Sequence, residues 1–106
     1  NRTRSITSAT TVTPNADEDD LVSVSAQAAP LAIDNPSPVY TVVSGQKLIL
    51  RIMDDGTPRT ITWGSQYRAI QSSLPTTTIA DKTLYLGFIY NATDTKWDLV
   101  ANAQEA

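Results

Sequence analysis

Apolar and polar residues alternate along most of this chain with the two-residue period of a β-strand, and nowhere with the 3.6-residue period of a helix. Between Ser5 and Thr13, Ile6, Ser8, Thr10 and Val12 fall on one face and Thr7, Ala9, Thr11 and Thr13 on the other. Pro14-Asn15 breaks this run, and Asp17-Glu18-Asp19-Asp20 follows as an acidic loop. From Leu21 to Ala28, Leu21, Ser23 and Ser25 alternate with Val22, Val24 and Ala26, the signature of a half-buried strand. Leu31-Ala32-Ile33 sits in a proline-rich stretch and reads as a short edge strand, because proline is confined to edges and bulges. Asn35-Pro36-Ser37-Pro38 reads as a rigid loop, after which Val39 to Val43 resumes pairing.

Beyond the turn at Ser44-Gly45-Gln46, Lys47 to Met53 is almost continuously apolar, as expected of a central strand covered on both faces. Asp54-Asp55-Gly56 is the strongest hairpin signal in the chain, with Arg59 to Trp63 as its partner strand. Gly64-Ser65 turns the chain into a short strand over Tyr67 to Ile70. Thr83 to Tyr90 is the richest strand, with Leu84, Leu86, Phe88 and Tyr90 on one face and Tyr85, Gly87 and Ile89 on the other. After Asn91-Ala92-Thr93-Asp94-Thr95, Lys96 to Ala101 closes the fold with Trp97, Leu99 and Ala101 on one side. About eight strands and no visible internal repeat predict an all-β domain, a β-sandwich or jelly-roll-like fold.

Composition agrees and narrows the chemistry. The chain has 106 residues, enough for one domain. Its 15 threonines and 9 serines suit pleated surfaces. Cysteine and histidine are both absent, which excludes thiol chemistry, Ser-His-Asp and Cys-His catalysis and the usual zinc sites. The net charge of -3 argues against a nucleic-acid partner. No apolar run approaches the ~18 residues of a membrane span, so no membrane role is expected. Asn1-Arg2-Thr3-Arg4-Ser5 has basic residues but no apolar stretch behind them, unlike a secretory signal. Residues 1–4 read as an N-terminal arm and 5–106 as the β module. Met53 is the single methionine, so the chain reads as processed, trimmed or cut from something longer.

Few residues suggest chemistry. The run Asp17 to Asp20 has the oxygens of a calcium site but lacks the glycine and terminal glutamate of an EF-hand loop, so a solvated loop is the simpler reading. Asp54 and Asp55 could be a carboxylate pair, yet adjacent strand residues point to opposite faces and a turn needs them for geometry. Trp63, Tyr67, Tyr85, Tyr90 and Trp97 could stack on sugars, although most fall on apolar faces and read as packing residues. Trp63 and Tyr67 flank a turn and are the pair expected to be exposed. Arg59 and Arg68 lie near them, able to meet carboxylates across an interface or on the surface. Arg2 and Arg4 are the only basic residues before Lys47, and an arm carrying them could dock on an acidic partner. Asn91-Ala92-Thr93 fits a glycosylation sequon that arises often by chance.

Several stretches carry a resemblance. They are Val12-Thr13-Pro14-Asn15-Ala16-Asp17-Glu18-Asp19-Asp20, Gly45 to Ile52 (GQKLILRI), Asp55 to Trp63 (DGTPRTITW), Leu74 to Thr78 (LPTTT), and Lys82 to Asn91 through Lys96-Trp97-Asp98. Together they resemble a small β module of tailed-bacteriophage structural proteins, over about residues 5 to 105. The resemblance implies a non-enzymatic structural protein of the virion, assembled in the bacterial cytoplasm, with no catalytic residues, cofactor or metal. Its implied partners are other virion proteins, either the major capsid protein or tail and fibre proteins. Such modules commonly form symmetric oligomers, often trimers, and the surplus of apolar strand face agrees with a homo-oligomer. The leading expectation is a capsid decoration or cement protein using Arg2, Arg4, Trp63, Tyr67 and Arg68 against its partner. The alternative is the distal domain of a tail or head fibre that binds a host glycan. A carbohydrate-active enzyme is disfavoured for want of an acid/base pair.

Overall fold

The computed structural model describes residues 2–38, 42–70 and 73–105. Within them the chain forms nine strands and no helix: β1 (Thr3–Thr7), β2 (Thr11–Val12), β3 (Leu21–Gln27), β4 (Leu31–Ile33), β5 (Lys47–Asp54), β6 (Ile61–Trp63), β7 (Tyr67–Ala69), β8 (Leu84–Asn91) and β9 (Lys96–Gln104). They build a six-stranded sheet in the order β1-β3-β5-β8-β9-β7 and a three-stranded sheet in the order β2-β4-β6. Buried side chains from both sheets form one cluster, so the chain is a single all-β domain with one core. Of the expected strand over Val39 to Val43, residues 39–41 lie outside the described residues, and Val42 and Val43 are not in a strand.

The pairing differs from the hairpins that the turn signals predict. β1, β3 and β5 are parallel neighbours in the larger sheet, and β2, β4 and β6 are parallel neighbours in the smaller one. The chain therefore winds from sheet to sheet three times, as β1-β2, β3-β4 and β5-β6. Parallel neighbours need a long crossover, usually helical, and here a strand of the opposite sheet supplies it. Asp54-Asp55-Gly56 accordingly makes a turn but no hairpin: β6 pairs with β4, while β5 pairs with β3 and β8. A turn signal encodes where the chain bends and leaves open which strand it meets next. β4 is likewise the middle strand of its sheet rather than an edge.

The first expected strand is split in two by the same winding. Ser8, at φ 50°, ends β1 and sends the chain across to β2. Its N–H donates to Ser25 O at 3.0 Å, and its hydroxyl accepts from Ala28 N–H at 3.0 Å. Those bonds hold a conformation that is unfavourable for a side chain other than glycine. Ala26, at φ 49°, marks the matching bulge in β3 and turns Gln27 into the core. The fully buried Gln27 accepts from Ala9 N–H at 2.9 Å and donates to Ala29 O at 2.8 Å. One amide thus fastens two successive crossings, and its hydrogen-bonding atoms are satisfied as burial demands.

Register puts apolar residues on the face between the sheets. Val22 meets Leu50 and Leu86, and Ile6 meets Val24, Ile52 and Leu84 along the ladder. From the smaller sheet Val12, Leu31, Ile33 and Ile61 complete the core. Each such side chain contributes about 1.5–3 kcal/mol on full burial. The other face of the larger sheet stays open. β5 alternates, with Leu48, Leu50 and Ile52 buried and Ile49 43% exposed, so it is central yet covered on one face only. In the middle of β9 a bulge leaves Val100 unpaired, with Phe88 opposite Leu99 and Gly87 opposite Ala101. That extra residue shifts Ala101 out of the Trp97 and Leu99 series and leaves it exposed.

Candidate interaction surfaces

The acidic loop and the basic N-terminal residues meet each other. Thr3 and Arg4 belong to β1, and Arg4 holds the carboxylate of buried Asp19 through Nη2 at 2.6 Å and Nε at 3.2 Å. Asp19 also accepts from Asn15 N–H at 2.7 Å. Arg2 pairs with Asp20 at 3.1 Å and donates to the Asp17 carbonyl. These contacts raise the Arg2 guanidinium and lower the Asp20 carboxyl, in both cases chiefly through the side-chain hydrogen bond between them. Two of the loop's four acids, Asp20 and Asp19, are thus paired with Arg2 and Arg4 of the same chain. Among the described residues no group of three acidic side chains is placed to hold a metal ion.

Trp63 and Tyr67 flank the turn at Gly64, but their rings face inward. Tyr67 is buried, packs edge-on against Trp63 with centroids 5.1 Å apart, and meets Phe88 at 5.2 Å. Burial pushes its phenol well above the ordinary value, and the hydroxyl donates to Asp34 O at 2.8 Å. Trp63 is half-buried, and its indole N–H donates to Pro75 O at 2.7 Å. The expected exposed pair is therefore a core cluster that leaves only part of Trp63 at the surface. The hydrophobic demand of the core outweighs the preference of turn-flanking residues for water. Arg68 lies beside it, held by Asp98 at 2.8 Å and Asp94 at 3.1 Å, and these hydrogen bonds raise its guanidinium. Arg59 similarly reaches Asp55 at 2.9 Å.

Asp54 serves the architecture. The carboxylate is buried at the end of β5 and accepts from Thr78 Oγ1 at 2.7 Å, Asp81 N–H at 3.0 Å and Gly56 N–H at 3.0 Å. Burial alone pushes its carboxyl up, but those three donors outweigh it and hold it below the usual range. Gly56 sits at φ 103°, a left-handed geometry open to glycine at no steric cost. The two carboxylates have separate partners: Asp55 accepts from Thr57 N–H at 3.3 Å and pairs with Arg59. Asn91 also acts as a turn residue, accepting from Thr93 N–H at 3.0 Å.

The surface that periodicity alone did not single out is the open face of the larger sheet. Its successive rows run Thr3, Leu21, Ile49, Gly87 and Ala101, then Ser5, Ser23, Arg51, Tyr85 and Ala103. In these two rows the side chains apart from Arg51 and Tyr85 are small or aliphatic, while the next row, Lys47, Ile89, Asp98 and Arg68, is mostly charged, with Arg68 and Asp98 paired. Arg51 donates from Nε to Ser23 Oγ at 3.0 Å and lies 5.9 Å from the centre of the Tyr85 ring. The alternation of Lys47, Ile49, Arg51 and Met53 in β5 was the available signal, within a run that reads as almost continuously apolar. Comparison with known proteins brings no match, whether with family models, curated proteins or solved structures.

Proposed function

We propose that this chain is a non-enzymatic structural module of a tailed-phage virion, most simply a capsid decoration or cement protein that grips neighbouring shell subunits. The observation that carries the reading is the uncovered face of the six-stranded sheet, with Ile49 and Tyr85 each 43% exposed at its middle. A strand face that mixes aliphatic, aromatic and charged groups suits contact with another protein. The internal ties of Asp19, Asp54 and Gln27 support the same reading, because a shell clamp needs a rigid body. The sequence resemblance to phage structural modules adds to it. Cryo-electron microscopy of intact particles is the test. Density over the capsid lattice, and earlier disruption on heating of particles lacking the chain, are the expected results. Density confined to tail or fibre tips would overturn the cement role and favour the fibre alternative.

A further inference from the structure

We infer that the open face of the six-stranded sheet docks an acidic protein surface, one that sets a carboxylate against Arg51 and apolar side chains against Ile49 and Tyr85. Among the described residues Arg51 is the one arginine without a carboxylate within ion-pair distance. Arg2, Arg4 and Arg59 each have one, and Arg68 has two. The contacts of Arg51 are neutral: Ser23 Oγ at 3.0 Å, the Tyr85 hydroxyl at 3.5 Å and the Tyr85 ring. The ring and Ser23 hold the guanidinium over the sheet, leaving donors for an incoming acid. A pre-positioned guanidinium recognises a carboxylate in two parallel hydrogen bonds, which gives direction as well as attraction.

The surroundings favour a protein occupant. Ile49 and Leu21 supply aliphatic surface, while Gly87, Ala101 and Ser5 keep the neighbouring rows low, so an approaching strand or loop can lie close. Lys47 lies on the same face of β5 as Arg51 and extends the positive stripe. The nearest acid at that end, Asp20, is already held by Arg2. Between them Asp20, Gln46, Lys47 and Ile49 line a shallow cleft of about 340 Å³, a seat for one partner side chain. Parallel strands are also rarely left bare on one face, and β1, β3 and β5 are parallel. A second copy packed face to face about a two-fold axis through Arg51 would oppose like charges, so charge complementarity selects a different, acidic surface. The inference stands apart from the virion reading, since an acidic partner fits this face wherever the chain works.

The test is a nuclear magnetic resonance titration of the full chain with a synthetic peptide of alternating Glu and Val, and with its Lys and Val counterpart. The Glu peptide is expected to shift the amide signals of Ser23, Ile49, Arg51 and Tyr85, and the Lys peptide to leave them unmoved. Arg51→Gln should weaken binding about tenfold, the loss of one charge-assisted pair. Arg59→Gln removes the same charge beside the smaller sheet, where Arg59 pairs with Asp55, and should leave affinity unchanged, and Arg51→Lys should fall between. Unchanged far-field amide signals in each variant confirm the fold. Equal response to both peptides, shifts mapping away from this face, or full affinity in Arg51→Gln would overturn the inference. So would self-association through these residues without peptide, which would make a second copy the occupant.

Discussion

The two faces of the six-stranded sheet are made by the same strands and do opposite things. On the inner face Leu48, Leu50 and Ile52 of β5 and Leu84, Leu86 and Phe88 of β8 are all at most 3% exposed. On the outer face of those strands Ile49 and Tyr85 are each 43% exposed, with Arg51 between them. The difference arises because the winding β1-β2, β3-β4 and β5-β6 delivers a second sheet to one side only. Stability is concentrated on the covered side, and the residues free to meet a partner lie on the other. An apolar run thus identifies a strand without telling how many of its faces the chain itself covers.

The sharpest way to break this contrast is a pair of truncations across one strand. Phe88→Ala should cost about 3–5 kcal/mol in chemical denaturation, because it empties the centre of the core. Tyr85→Ser, on the opposite face of the same strand, should stay within about 0.5 kcal/mol. Comparable losses at both sites would mean that the outer face also contributes to folding.

The next largest effect is expected at Asp54, which joins the end of β5 to the segments at Thr78 and Asp81. Asp54→Ala strands three donors and should cost about 2–3 kcal/mol. Its folded carboxyl titrates below the ordinary value, so the unfolded chain binds the proton first. Its stabilisation is therefore present above the ordinary carboxylate range near pH 4, and is lost as pH falls through its lower folded value. An acid titration followed by circular dichroism should show a shallower loss of stability in Asp54→Asn than in the parent chain.

Gly64→Ala should cost somewhat less, about 1–3 kcal/mol, through overpacking. A Cβ there would stand 2.7 Å from the backbone nitrogen of Asn35, where the chain holds two loops together. Thermal unfolding measures it, and an unchanged midpoint would show that the Asn35 loop yields freely.

Much of the strand pattern was legible in the chain. The alternation of Leu84, Leu86, Phe88 and Tyr90 marks the buried side of β8, and the threonine-rich composition marks the all-β class. Pairing was not legible, because Asp54-Asp55-Gly56 encodes a bend and the parallel partner of β5 lies in β3, where Leu21 pairs with Ile49 28 positions on. The inward turn of Tyr67 and the flip at Ala101 depend on contacts from distant strands and on one bulge, neither of which has a local signature. Arg2 and Arg4 were legible as basic residues near an acidic run. Their pairing with Asp20 and Asp19 follows from the parallel register of β1 beside β3. Arg51 stood out only once its neighbours in space were known.

The chain contains no cysteine, so a single introduced thiol can report on one face at a time. The most direct measurement is the labelling rate of Ile49→Cys in the isolated chain and in the virion particle proposed to hold it, with Ile79→Cys as the exposed reference away from the sheet. Rapid labelling at both sites in the isolated chain, with protection at Ile49→Cys alone after assembly, is the expected result. Equal labelling of Ile49→Cys before and after assembly would contradict a partner on the open face.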